Sequence, residues 1–148
     1  MSQDIQAILQ SAEQAYRQGS FILAAEQYEI AASKFSEINQ PLDEAIQKNN
    51  ASVCYLKADQ AYKALQVCEN TEHVFADAGK PLNQALALGN QAAALEKLGK
   101  LKDAADLYQQ CIDLLRSNDG KDYLFQVYSE LTGIQLKLRK YLQAIASM

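Results

Sequence analysis

The chain has 148 residues, 49% of them hydrophobic and 22% charged, with a net charge of -4. That is enough apolar material to build a core, which excludes a disordered chain, and the acidic balance argues against nucleic acid, whose phosphates call for a basic excess. No stretch reaches the roughly 20 apolar residues of a membrane span, and Met1-Ser2-Gln3-Asp4 lacks the basic and apolar regions of a secretory signal, so a cytoplasmic protein without membrane contact is expected.

The predicted elements come in pairs, an A helix followed by a B helix, because helix formers dominate and only two prolines and six glycines interrupt them. In the first pair the turn falls at Gly19 and helix B begins near Phe21. The second A helix runs from about Pro41 to Ala58. Proline suits the first helical position, and Asp43 and Glu44 sit in the first turn, where the helix dipole favours them. The second B helix runs from about Gln60 to Asp77, with Gly79 as its stop. The third pair starts at Lys80-Pro81-Leu82, which repeats Gln40-Pro41-Leu42, and turns at Gly99. The fourth starts at Gly120-Lys121-Asp122, has Arg139 at the turn position, and leaves only Tyr141 to Met148 for helix B. One repeat domain over 1–148 is expected, in units 1–40, 41–80, 81–120 and 121–148, the last cut short.

The period is 40 residues. Ala24, Ala64, Ala104 and Ala144 form one column, preceded by Phe21, Ala61, Leu101 and Tyr141 and followed by Tyr28, Cys68, Tyr108 and Met148. Helices that cross at about 8–10 Å need a small side chain at closest approach, which explains the alanines, and the aromatics fill the space beside them. Cys54, Cys68 and Cys111 are an odd number without a CxxC pair and fall in helical patterns, so they read as small buried hydrophobes in a reducing compartment.

The spacing Gly89, Ala92, Leu95, Gly99, Leu101, Ala104, Tyr108, Cys111 resembles the tetratricopeptide signature, and Ala12, Gly19, Phe21, Ala24, Tyr28 and Ala31 repeat it in unit one. The ordinary repeat of that family is about 34 residues; the longer unit is similar to those of kinesin light chains, Pins-type spindle adaptors and bacterial regulators. The signature tryptophan is absent, and Asp59 and Arg139 replace the turn glycine in units two and four. The resemblance implies an all-α, right-handed superhelical solenoid of antiparallel helix pairs, about three and a half repeats long. Its concave groove, lined by A helices, would be a scaffold for a protein or peptide partner.

One face of each A helix supplies candidates for that groove. In unit two Ile46, Asn50, Val53 and Lys57 share a face, and in unit three Leu86, Asn90, Ala93 and Lys97. Gln10, Asn50 and Asn90 form an amide column, ended by Glu130, and Arg17, Lys57, Lys97 and Lys137 a basic one. An amide can donate to and accept from a peptide backbone at once, and the basic column favours an acidic segment. The peptide-binding set is therefore Ile46, Asn50, Val53, Lys57, Leu86, Asn90 and Lys97. A basic residue near a helix end also serves the dipole, and an asparagine can instead hydrogen-bond between repeats. The basic set with which some relatives clamp a carboxyl terminus is not reproduced, since Leu9, Glu13, Asn49, Val53 and Gly89 occupy its places.

Catalysis is not expected. His73 is the one histidine, which rules out paired ExxH metal sites, and no nucleophile elbow or phosphate loop is present. No cofactor and no metal are expected. Two further readings stand beside the peptide-binding scaffold: an assembly module that self-associates through the C-terminal helix, and a ligand-sensing repeat domain of a bacterial regulator.

Overall fold

A computed structural model describes the backbone of residues 2–148 and the side chains from Asp4 onward. Among the described residues eight helices follow one another with tight turns: α1 (Ser2–Arg17), α2 (Phe21–Glu37), α3 (Pro41–Lys57), α4 (Ala61–Val67), α5 (Thr71–Asp77), α6 (Pro81–Lys97), α7 (Leu101–Ser117) and α8 (Lys121–Ala146). Among the described residues there is no strand. Helices α1, α3, α6 and α8 are the A helices; α1 packs on α2, and α3, α6 and α8 each pack against the B helix before them. This is the expected all-α solenoid of antiparallel helix pairs.

The turns explain the pairing. Gly19, Asn39, Asp59, Gly79, Gly99 and Asp119 all have φ between 57° and 80°, the left-handed conformation that glycine tolerates freely and asparagine or aspartate more readily than other residues. In each turn the next N–H reaches back five residues, as in Ser20 to the Ala15 carbonyl at 2.9 Å and Gly120 to Leu115 at 2.8 Å, which closes the helix end. Asp59 therefore does in unit two what Gly19 and Gly99 do in units one and three.

Two helix assignments are corrected. The second B helix is broken into α4 and α5, because Asn70 takes φ 68°. The Thr71 hydroxyl lies 2.8 Å from the Cys68 carbonyl and 2.9 Å from Asn49 Oδ1, and Gln91 donates to that carbonyl at 3.3 Å and to the Glu72 carboxylate. The backbone oxygen freed by the break thus has partners, as a buried carbonyl requires. The second correction concerns unit four. No turn occurs at Arg139; α8 runs straight through it to Ala146. A left-handed arginine costs about 1–2 kcal/mol, and a helix B of two turns is too short to nucleate strongly.

The core follows the small-residue column. Ala24, Ala64 and Ala104 are fully buried, as are Ala12, Ser52 and Ala92 on the A helices. Ser52 keeps its place by donating to the Ala64 carbonyl at 2.9 Å. The largest cluster joins α6, α7 and α8 through Leu88, Ile112, Leu115, Val127, Leu131 and Ile134. The three cysteines are buried and unpaired. Burial pushes the Cys54 and Cys68 thiols up to about 11 and Cys111 up to about 12, so they are packing residues rather than nucleophiles.

Candidate functional site

The A helices α3, α6 and α8 leave a continuous depression. Its larger part, about 640 Å³, is lined by Val53, Lys57, Leu86, Asn90, Ala93 and Lys97 with Tyr108 of α7 and Tyr123, Gln126, Glu130 and Lys137 of α8. Its smaller part, about 140 Å³, is lined by Ile46, Asn50, Phe75 and Asn83 together with Val53, Leu86 and Asn90. Those last three residues belong to both parts, so the depression is one groove. All seven expected groove residues lie on it. Unit one stands apart: Gln10, Glu13 and Arg17 line a separate hollow, and Arg17 pairs with Glu13 at 2.6 Å.

The apolar floor comes from Ile46, Val53 and Leu86, and the polar side from the amides. Asn50 donates to Gln47 Oε1 at 3.0 Å within its own helix. The hydrogen bonds between helices run instead through the neighbours: the Thr71 hydroxyl donates to Asn49 Oδ1, and Gln91 donates to Glu72. The stacking role that an amide could serve is therefore met one position away from Asn50 and Asn90.

The basic column is partly engaged. Lys57 Nζ lies 5.8 Å from the ring centres of Tyr16 and Phe21. Lys97 stands 3.8 Å from Asp59, and Lys137 lies 3.5 Å from Glu96. All three lysines are exposed, and such surface contacts are weak enough to exchange for a ligand's charge. Glu96 and Glu130 also line the groove, so three cations there face two carboxylates.

Sequence reasoning missed the tyrosines of the groove's far wall. Tyr123 reaches over Gly89, where a Cβ would sit 2.6 Å from the tyrosine hydroxyl. Burial, with smaller contributions from Cys111 and Glu130, pushes the Tyr123 phenol up to about 12. The Tyr108 hydroxyl is raised as well, by burial first and then by the Glu96 charge, and it lies 3.5 Å from Glu96 Oε1. Both phenols stay protonated and can donate hydrogen bonds into the groove. Gly89 was legible only as a small residue of the repeat; that it makes room for a tyrosine from another unit was not.

Among the described residues no cluster of His, Cys, Asp and Glu could hold a metal, and no helix is long and apolar enough to cross a membrane. Residues 3–148 match the sequence profile of the family described as SNAP, soluble NSF attachment protein. A comparison with curated proteins returns no match.

Proposed function

The chain belongs to the soluble NSF attachment protein family, and on that footing we propose that it holds an extended segment of another protein in the groove of α3, α6 and α8. The family has a tetratricopeptide-like helical repeat fold and is a non-enzymatic, protein-binding scaffold type; the ordinary tetratricopeptide family is not what the match names. The finer reading is ours. The observation that carries it is the convergence of Asn50, Asn90, Lys57 and Lys97 on one groove whose floor is apolar. Amides would bind the backbone of the segment, and the lysines would favour acidic side chains on it. We read residues 1–148 as one repeat domain. Its buried, unpaired thiols fit a reducing compartment, and the cytoplasm is the one we propose.

The family's name supplies the first partner to try, NSF. With NSF as bait, Asn50→Ala/Asn90→Ala should lose about tenfold or more of the capture, the scale of an interface hot spot, while the melting temperature stays nearly unchanged. Lys57→Glu/Lys97→Glu should lose as much, and raising the salt should weaken capture of the wild type. A large fall in melting temperature for the asparagine pair, with capture intact in the part that remains folded, would assign the amides to stacking and remove the groove reading.

A further inference from the structure

The groove runs on past Leu86 and Tyr123 into a further hollow of about 220 Å³, whose other apolar lining is Leu82 of α6, Leu115 of α7 and Gly120. The repeat explains why space is left there. Forty residues earlier the place of Leu115 belongs to Phe75, whose buried ring packs with Leu42 and Ile46, the counterparts of Leu82 and Leu86. Leu115 is smaller than that ring. Gly120 stands in the place of Lys80 and adds no side chain; a Cβ on it would lie 2.5 Å from Leu115 and 3.2 Å from Leu82. Leu82 and Leu86 remain 42% and 43% exposed, whereas Leu42 and Ile46 are half-buried.

Charge changes sign along the way. In the larger part of the groove Lys57, Lys97 and Lys137 outnumber Glu96 and Glu130. At the hollow Asp119 and Asp122 outnumber Lys121. Leu86 and Lys97 lie about three turns apart on α6, or about 16 Å. An extended chain covers that distance in about five residues. We propose that the hollow takes one large apolar side chain of the bound segment, and that this anchor stands about five residues from the acidic side chains held at Lys57 and Lys97. The inference rests on the groove reading and gives the partner's segment two unlike ends. Burial of the anchor against Leu82, Leu86 and Leu115 holds one end, and charge selects the other. Beside the anchor a neutral or basic residue fits, and an acidic one is repelled by Asp119 and Asp122.

Selection on the immobilised chain from a phage-displayed library of random peptides, each of about twelve residues and so long enough to span the groove, tests this. The expected result is enrichment of peptides with a leucine, isoleucine, methionine or phenylalanine about five residues from a pair of acidic residues. Leu82→Asp puts a carboxylate in the hollow. Because Leu82 is exposed and lies in the first turn of α6, where the helix dipole favours an acid, the melting temperature should hold. The variant should bind an enriched peptide about tenfold or more weakly, as loss of a central contact does. It should bind the same peptide with its anchor changed to serine as the wild type does. Asp122→Lys, at the exposed start of α8, should admit an acidic residue beside the anchor. Acidic peptides enriched without a spaced apolar residue, or an anchor indifferent to Leu82→Asp, overturn the proposal and leave the groove reading standing. Enrichment that Asn50→Ala/Asn90→Ala does not reduce overturns the groove reading and the anchor with it, and so does a library from which nothing is enriched.

Discussion

Helices α6 and α8 begin forty residues apart and have the same place in the repeat, yet one is covered on two sides and the other on one. α6 lies between α5 and α7, with Ala85, Leu88 and Ala92 turned toward α7. α8 packs on α7 through Val127, Leu131, Ile134 and Leu138 and turns Phe125 and Thr132 outward. The two helices differ at one matched position in how the backbone continues. Gly99 takes φ 80° and sends the chain back as α7, whereas Arg139 stays helical.

The comparison can be broken most forcefully within α8 itself. Ile134→Ala, at a fully buried site, should destabilise the protein by about 2–5 kcal/mol. Ile145→Ala, on the exposed continuation of the same helix, should change stability by less than about 0.5 kcal/mol. Urea denaturation of the two variants checks this; similar losses would mean that the end of α8 is packed. Next in size is the matched pair Ala92→Leu and Thr132→Leu. The first overpacks the crossing with α7 and should cost about 1–3 kcal/mol, whereas the second, in dilute solution, should be nearly neutral. Ala104→Leu should resemble Ala92→Leu, since it lies in the same cluster.

Arg139→Gly sharpens the claim about the turn. A glycine in an exposed helix costs up to about 1 kcal/mol, and here it also removes the bar to a left-handed residue. Amide exchange of residues 140–146 should quicken while that of α7 does not change. Equal exchange in wild type and variant would show that Arg139 is not what keeps α8 straight.

Much of this was legible in the sequence, for reasons that are local. Proline at the starts of α3 and α6 and glycine in three of the six turns follow from backbone sterics, and the alanine column follows from helix crossing. Asp59 was recognisable as a substitute because its short polar side chain tolerates the same φ. That Ile46, Asn50, Val53 and Lys57 share one face of α3, and Leu86, Asn90 and Lys97 one face of α6, was legible because helical spacing sets it. The break at Asn70 was not, because its stability depends on Asn49 and Gln91 from other helices. Glu96, Tyr108 and Tyr123 were missed for the same reason: they reach the groove across units, through distances no spacing encodes. The straight run of α8 was missed because the forty-residue rhythm continues in Tyr141, Ala144 and Met148 although the turn it needs does not.

The smallest effect at neutral pH is electrostatic. The Cys54, Cys68, Cys111 and Tyr123 protons are held more tightly in the folded chain than in the unfolded one, with folded values raised to about 11, 11, 12 and 12. The stability they contribute is fully present below the ordinary thiol and phenol values, near 9 and 10. It is lost as pH rises from there through 11 and 12, because the unfolded chain releases its protons first. Melting temperatures should therefore show no pH dependence from these groups between pH 6 and 8 and an alkaline fall above about 9. A flat profile to pH 11 would contradict the burial of the α6–α7–α8 junction, which holds two of the four groups.

The central claim is that a partner lies in the groove and not on the outer surface of the B helices. A photo-crosslinking residue in place of Leu86 on α6, compared with one in place of Gln110 on the exposed side of α7, tests it directly. The account predicts that the Leu86 position captures bound NSF and the Gln110 position does not; capture from Gln110 alone would contradict it.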